Sequence, residues 1–268
     1  MALSRRDFVK LCSGTVAGFG VSQMFHPAIH EAFAQTLTGE RPPVFWVQGQ
    51  GCTGCSVTLL NSTHPSIADV LLKIISLEFH PTVMAAEGEG AYEHMMRVAE
   101  KFKGKFIFAV EGAVPVAHDG KCCVVAEANH HEVTMTEVTK VLAANAAAVL
   151  AVGTCAAYGG IPAGKGNETG AMGVSAFLKK EGIPAPVINI PGCPPHPDWI
   201  VGTIGLGLQA LATNTLGLLV KQGLDANGRP KAFYKNVHMN CPHLSAFEAG
   251  HMVKTMSDKD GCRFSMGC

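Results

Sequence analysis

The chain has 268 residues, of which 47% are hydrophobic and only 16% are charged. This length is sufficient for one large domain or two smaller ones, and the low charge and high apolar content exclude a disordered protein. The 21 Lys and Arg residues balance 21 Asp and Glu residues. The composition therefore points neither to a nucleic-acid partner nor to an anionic membrane surface. So small a charged fraction favours a protein that buries much of its surface against a partner.

The N-terminus has the pattern of an export signal. Arg5 and Arg6 precede an apolar stretch from Leu11 to Phe25, and an A-x-A cleavage site ends at Ala34. The apolar stretch is too short to span a bilayer. Paired arginines before such a stretch predict a twin-arginine signal peptide over residues 1–34, in preference to an ordinary amphipathic helix. We therefore expect a periplasmic protein that is exported already folded.

Within the predicted domain of residues 35–220, short β-rich runs alternate with longer helical stretches from Pro42 to Gly192. The predicted strands are Val44–Val47, Ile74–Phe79, Lys105–Val110, Ala148–Val152 and Val187–Ile190. The predicted helices are Ser56–Leu72, Glu89–Phe102, Thr134–Ala144 and Gly173–Lys180. This alternation predicts an α/β domain in which helices cover both faces of a parallel sheet.

The last part of the chain has a different character. The run Ile200–Val220 has no charged residue but contains polar ones such as Gln209 and Asn214, so a helix buried in a soluble core is favoured over a membrane span. Residues 221–268 combine turns and short polar stretches with three cysteines. They predict a small irregular second domain that depends on a bound group for its stability.

Four cysteines directly follow predicted strands. Cys52 and Cys55 follow the first strand, Cys155 follows the fourth and Cys193 follows the fifth. Because the carboxyl ends of parallel strands meet at one edge of a sheet, these residues can converge despite their distance in sequence. Four thiolates at one point require a soft cationic partner, either zinc or an iron–sulfur cluster.

The spacing of these cysteines favours a [4Fe–4S] cluster. Structural zinc sites usually combine two close cysteine pairs, whereas one pair is joined here by two distant single cysteines. Several glycines flank the thiols and allow backbone amides to approach, and cluster sulfides accept hydrogen bonds from such amides. Zinc and, more weakly, a set of disulfides remain alternatives.

A second set of four ligands lies near the C-terminus. It consists of His238, Cys241, Cys262 and Cys268. Zinc accepts such a set as readily as an iron–sulfur cluster does. A second cluster is favoured beside the first, because electron carriers work in series.

Several other candidates receive a structural interpretation. Cys122 and Cys123 begin a β-like run and are predicted to be buried thiols, because neighbouring strand residues point to opposite faces. Glu78 and Glu111 end predicted strands, and satisfied polar groups are favoured over a charge relay or a partner contact. His196 either lies behind the cysteine site or caps a turn. The His130–His131 pair is predicted to form a surface turn.

Together these features resemble the small subunit of nickel–iron hydrogenases. The resemblance covers essentially the whole chain in order. It rests on the twin-arginine leader, Gly51–Ser56, Ser76–His80, Val110–Gly112, Gly153–Cys155, Pro191–Pro195 and the C-terminal ligand set. The segments Val47–Gly51 and Ser56–Asn61 are similar to the nickel–iron–selenium branch.

The resemblance implies a flavodoxin-like domain followed by a cluster-binding domain. Cys52, Cys55, Cys155 and Cys193 would hold a proximal [4Fe–4S] cluster, and His238, Cys241, Cys262 and Cys268 a distal one. Members of the family continue past the residue that matches Cys268, with further cysteines for a medial cluster. We therefore expect that the sequence is truncated there and that a third cluster is present only if the chain continues.

The family also implies a function. The nickel–iron site belongs to a separate large subunit, so this chain supplies no catalytic residue to the reaction H2 = 2 H+ + 2 e−. It would relay electrons to a periplasmic c-type cytochrome, and association with the membrane is left open. The alternatives are an exported zinc-binding module without redox function, a cluster subunit of a quinone reductase and a flavin-binding domain.

Overall fold

The computed structural model describes residues 41–62, 65–234, 241–255, 257–258 and 260–266. The signal peptide predicted for residues 1–34 lies outside this part of the chain. Two compact units are present, and the first ends at Pro230, whereas the sequence interpretation set the boundary after Val220.

Five parallel strands form the centre of the first unit. They are β1 (Pro43–Gln48), β2 (Ser76–Phe79), β3 (Ile107–Glu111), β6 (Ala148–Val152) and β7 (Val187–Ile190). Their spatial order is β2-β1-β3-β6-β7. If only the strands of this sheet are counted, the order is 2-1-3-4-5, which is that of flavodoxin-like folds. The predicted fold class is therefore confirmed.

Four of the strands end at the same level. Gln48 of β1 pairs with Glu111 of β3, Glu111 with Val152 of β6, and Val152 with Ile190 of β7. Each of these residues is the last of its strand. The loops that follow the four strands therefore start from one row at the carboxyl edge of the sheet.

Eight α-helical segments are present among the described residues of the first unit. They are α1 (Gly54–Leu60), α2 (Ile67–Asp69), α3 (Gly88–Lys101), α4 (Met135–Asn145), α5 (Gly153–Tyr158), α6 (Val174–Lys180), α7 (Pro197–Ala212) and α8 (Leu216–Leu218). A π-helical turn follows α2 over Val70–Ile74 and another follows α8 over Leu219–Gly223. A short 3-10 turn spans His118–Gly120.

The core lies on both faces of the sheet. Every side chain of β3 and β6 is buried, as expected for central strands that are covered on both sides. Helix α3 buries Ala91, Met95 and Ala99, whose spacing places them on one face. Burial of each large apolar side chain contributes about 1.5–3 kcal/mol to the stability of the fold. The packed core therefore holds the strand ends, and the loops that follow them, in fixed positions.

Two predicted helices are wrong in their extent. The stretch Ser56–Leu72 is not one helix, because Pro65 cannot continue α1 and the Ser66 hydroxyl accepts the N–H of Asp69 to begin α2. The apolar run from residue 200 to 220 is divided because Asn214 adopts a left-handed φ of 55° after the end of α7. In the described part of the chain, no helix has the length and apolar character to cross a membrane.

A β-hairpin precedes α4. It joins β4 (Val124–Ala128) to β5 (His131–Thr134) through Asn129 and His130, both with positive φ. His130 thus lies in the predicted turn, whereas His131 already begins a strand. Cys122 and Cys123 precede β4 instead of beginning it. Both are half-buried, and Cys123 packs against the hydrophobic core, so the prediction of buried thiols is confirmed only in part.

The second unit, Lys231–Cys268, has a small apolar centre of its own. It contains helix α9 (Leu244–Glu248) and a 3-10 turn over Phe264–Met266. The rings of Phe247 and Phe264 lie 5.7 Å apart, and Val253 and Cys262 are buried.

Candidate metal centre

The structure brings four predicted ligands together at the carboxyl edge of the sheet. Cys52 lies in the connection from β1 to α1, Cys55 in the first turn of α1, Cys155 in α5 after β6, and Cys193 in the loop after β7. The charges of Cys52, Cys155 and Cys193 each raise the pKa of Cys55, which shows that the four thiols lie within electrostatic range of one another. Their role as metal ligands remains a prediction.

The environment of Cys55 and Cys155 opposes the ionisation of their thiols. Burial, followed by the charges of Glu111 and the other cysteines, raises the pKa of Cys55 from 9.0 to about 12. Burial also raises the pKa of Cys155, which is partly offset by the backbone N–H of Ile161. Thiolates in such a place need a cation or a cluster to stabilise them. Within the described residues, no three His, Cys, Asp or Glu side chains surround a position suited to a single metal ion.

Hydrogen bonds between the loops fix their relative positions. The N–H of Thr154 donates to the Gly192 carbonyl at 2.9 Å, and the N–H of Gly192 donates to the Thr154 hydroxyl at 3.1 Å. The Thr58 hydroxyl donates to the Pro195 carbonyl at 3.1 Å. These hydrogen bonds join the segment after β6 to the loop after β7, and that loop to the helix after β1.

Two glycines leave room for the thiols. A Cβ atom on Gly153 would lie 2.4 Å from the Cys55 sulfur, and one on Gly160 would lie 2.7 Å from the Cys155 sulfur. Both residues also have positive φ, of 88° and 54°. Only glycine combines this backbone conformation with so close an approach to a cysteine.

A buried carboxylate lies directly beneath the first cysteine loop. Glu111, only 3% exposed, accepts the backbone N–H groups of Cys55 and Ser56 on Oε1 at 2.9 and 3.1 Å. Its Oε2 accepts Trp46 Nε1–H at 2.9 Å, Gln48 Nε2–H at 3.2 Å and the Ser56 hydroxyl at 2.5 Å. The prediction of a satisfied polar group is confirmed for Glu111. The sequence reasoning missed its contact with Cys55, because a glutamate at the end of an otherwise apolar strand indicates that buried partners exist but not which ones.

The other strand-end glutamate has separate partners. Glu78 accepts a hydrogen bond from the Ser76 hydroxyl at 2.6 Å and lies 2.8 Å from Nε2 of His94. It too is a satisfied polar group, as predicted.

Two histidines take structural positions near the cysteine loops. His80 is 1% exposed, stacks on Trp46 with ring centroids 5.4 Å apart, and faces the Ser56 hydroxyl at 3.2 Å. No sequence pattern indicated this contact. His196 caps α7, since its Nδ1 accepts the N–H of Asp198 at 3.3 Å.

The C-terminal ligand set is only partly described. The sulfurs of Cys241 and Cys262 accept backbone N–H groups from His243 and Phe264, both at 3.4 Å. Amide donors of this kind stabilise thiolates that bind metal. His238 and Cys268 lie outside the described residues.

Known families match both parts of the chain. Residues 52–206 match the family of the NADH ubiquinone oxidoreductase 20 kDa subunit, and residues 233–268 match the C-terminal family of NiFe/NiFeSe hydrogenase small subunits. The first match spans the four cysteines at the sheet edge, in the family to which the quinone-reductase alternative refers. The second covers the C-terminal ligand set.

Individual relatives match over nearly the full chain. The periplasmic [NiFeSe] hydrogenase small subunit of Desulfomicrobium baculatum is 51% identical over 100% of this chain and 85% of its own length. The hydrogenase-2 small chain of Escherichia coli K12 is 35% identical over 99% of this chain and 68% of its own length.

Solved structures agree with this assignment. The [NiFeSe] hydrogenase of Desulfovibrio vulgaris Hildenborough matches with a TM-score of 0.82 and 65% identity, over 87% of this chain and 84% of that chain. The reduced, active Ni-Fe-Se hydrogenase of D. baculatum matches with a TM-score of 0.80 and 51% identity, over 85% and 83%. The chain therefore belongs to the small-subunit family of the NiFe and NiFeSe hydrogenases.

Proposed function

We propose that this chain is the electron-transfer subunit of a heterodimeric hydrogenase, which carries electrons between a large subunit and a periplasmic acceptor. The observation that carries the proposal is the convergence of four thiols at the aligned ends of β1, β6 and β7. A site of this kind is suited to a redox group.

The four thiols fit a [4Fe–4S] cluster. Cys52, Cys55, Cys155 and Cys193 would hold it, and when bound such a cluster accepts and releases one electron at a time. The fit is supported by the thiol donor set, by the cradle that Gly153 and Gly160 leave open, and by the Ile161 N–H that favours the Cys155 thiolate. The chain's own part is to bind the thiolates in fixed positions and to shield Cys55 and Cys155 partly from water.

A second [4Fe–4S] cluster is proposed for the C-terminal set. His238, Cys241, Cys262 and Cys268 would hold it, supported by the amide donors to the sulfurs of Cys241 and Cys262. The domain division proposed from the sequence, residues 35–220 and 221–268, assigns one cluster to each part. A third cluster belongs to the proposal only if the natural chain continues past Cys268.

The large subunit would cover the cysteine edge of the first unit. Cys52 and Cys193 are exposed there, and apolar side chains stand exposed beside the thiols, with Val57 at 55% and Ile161 at 83%. Exposed apolar groups gathered around a functional edge are typical of a protein interface. Covering them would also remove the thiols from water.

The cellular setting follows from the relatives and the N-terminus. Relatives from Desulfomicrobium baculatum and Nitratidesulfovibrio vulgaris are named periplasmic hydrogenase small subunits. We propose the same location for this chain, with export by the twin-arginine route through residues 1–34. A multihaem c-type cytochrome is the proposed electron acceptor.

A pair of matched cysteine variants tests the proposed site. Cys155→Ser and Cys123→Ser make the same change at two half-buried thiols, of which only Cys155 lies in the site. In the anaerobically purified heterodimer, we expect Cys155→Ser to lose or alter the electron paramagnetic resonance signal of one cluster and to lower the iron and sulfide content. Cys123→Ser should match the wild type. Equal iron, sulfide and spectra in all three proteins would refute the assignment.

A further inference from the structure

We propose that Glu111 is a positioning residue for the first cysteine loop, which it holds through the Cys55 and Ser56 amides while placing a fixed negative charge beside the cluster. The charge lowers the reduction potential of that cluster. This inference rests on the proposed function, because it assumes a cluster on Cys52, Cys55, Cys155 and Cys193.

The hydrogen bonds of Glu111 explain how it can position the loop. Its Oε1 receives two successive backbone N–H groups at 2.9 and 3.1 Å, one of them from Cys55 itself. These amides belong to the first turn of α1, where N–H groups lack partners within the helix. A rigid, buried strand end thus supplies the acceptor that fixes the place of the Cys55 side chain.

The second oxygen is surrounded by hydrogen-bond donors. All three of its partners, Trp46, Gln48 and the Ser56 hydroxyl, donate to it. A glutamine side chain could not replace both oxygens, because its NH2 group would face donors on one side. The site is therefore built for a carboxylate and not merely for a polar side chain of this shape.

A histidine fixes the orientation of the serine in this network. His80 Nδ1 accepts the N–H of Thr82 at 3.1 Å, so the ring proton is on Nε2 and donates to the Ser56 oxygen at 3.2 Å. The Ser56 hydroxyl then donates to Glu111. The His80 ring stacks on Trp46, and this contact holds two N–H donors in place: Trp46 Nε1–H, which donates to Glu111, and His80 Nε2–H, which donates to Ser56.

The position of the charge determines its effect. Glu111 is 3% exposed, so solvent screens its charge weakly. Its Oε1 lies 2.9 Å from the backbone nitrogen of Cys55, so the charge is close to one of the residues that would hold the cluster. A cluster becomes more negative when it takes up an electron, so a nearby fixed negative charge disfavours the reduced form.

The test measures the potential of the proximal cluster in the assembled heterodimer. A redox titration, monitored by electron paramagnetic resonance, gives the midpoint potential of this cluster in the wild type, in Glu111→Gln and in Glu78→Gln. Glu78 is the matched control, since it also lies near the end of a strand but bonds to Ser76 and His94 and not to the cysteine loop. We expect a positive shift of the midpoint potential for Glu111→Gln, with full iron content, and no shift for Glu78→Gln.

The other outcomes are equally decisive. A Glu111→Gln protein with full iron and the wild-type potential overturns the inference but leaves the proposed function intact. A wild type without iron and sulfide overturns the proposed function instead. If Glu111→Gln fails to assemble, Ser56→Ala takes its place, because it keeps the charge but removes one donor that compensates it. A negative shift is then expected, and an unchanged potential overturns the inference.

Discussion

Replacement of Gly153 by alanine tests whether the shape of the cysteine site is set by the space that the glycine leaves. The new Cβ would lie 2.4 Å from the Cys55 sulfur, whereas nonbonded heavy atoms settle at about 3.5–4.0 Å. The sulfur or the loop must therefore move by about 1 Å. A displacement of this size separates Cys55 from the position that the other three thiols define, so we expect the proximal cluster to be lost or incompletely assembled.

Gly182→Ala separates this effect from simple backbone strain. Gly182 also has positive φ, at 69°, but nothing lies within 4 Å of the position that its Cβ would take. Both variants should lose about 1–2 kcal/mol of stability from the left-handed conformation. Only Gly153→Ala should also lose iron and sulfide and change the resonance spectrum. A Gly153→Ala heterodimer with full iron content and the wild-type spectrum would refute the reasoning.

Two further predictions concern the interface and the helix cap. Ile161→Asp should weaken association with the large subunit at least about tenfold, or about 1.4 kcal/mol. Leu72→Asp should not weaken it, because Leu72 is also strongly exposed but lies before the amino end of β2. Titration calorimetry or copurification measures the association, and equal binding by both variants would contradict the proposed interface. The N–H of Thr134 lowers the pKa of Glu137 from its ordinary 4.5, so the stabilisation is present above pH 4.5 and is lost as the pH falls below it. The difference in thermal midpoint between the wild type and Glu137→Gln should shrink below that pH. The control variant Glu132→Gln, which leaves the cap of α4 unchanged, should match the wild type. A difference for Glu137→Gln that does not change with pH would count against a charged cap at Thr134.

The strands and the cysteine positions could be predicted because they follow local rules. The central strand Ala148–Val152 is a continuous apolar run because it is covered on both faces, and it has the predicted bounds, as does the edge strand Val187–Ile190. Since parallel strands end at one edge, the order of strands and cysteines along the chain was sufficient to assign the loop cysteines to one site.

The remaining features depend on contacts distant in sequence. No local pattern shows that Glu111 reaches the amide of Cys55, because this contact requires the register between β1 and β3. The division of the predicted helix at Ser56–Leu72 is a different case. Pro65 and the capping Ser66 were visible signals, and the apolar spacing outweighed them in the sequence interpretation.

Acid-labile sulfide, measured together with iron and zinc in the anaerobically purified heterodimer, tests the central claim most directly. Two [4Fe–4S] sites on this chain predict about eight sulfides, with matching iron beyond that of the large subunit. Zinc bound to this chain in the absence of sulfide would contradict the electron-transfer account.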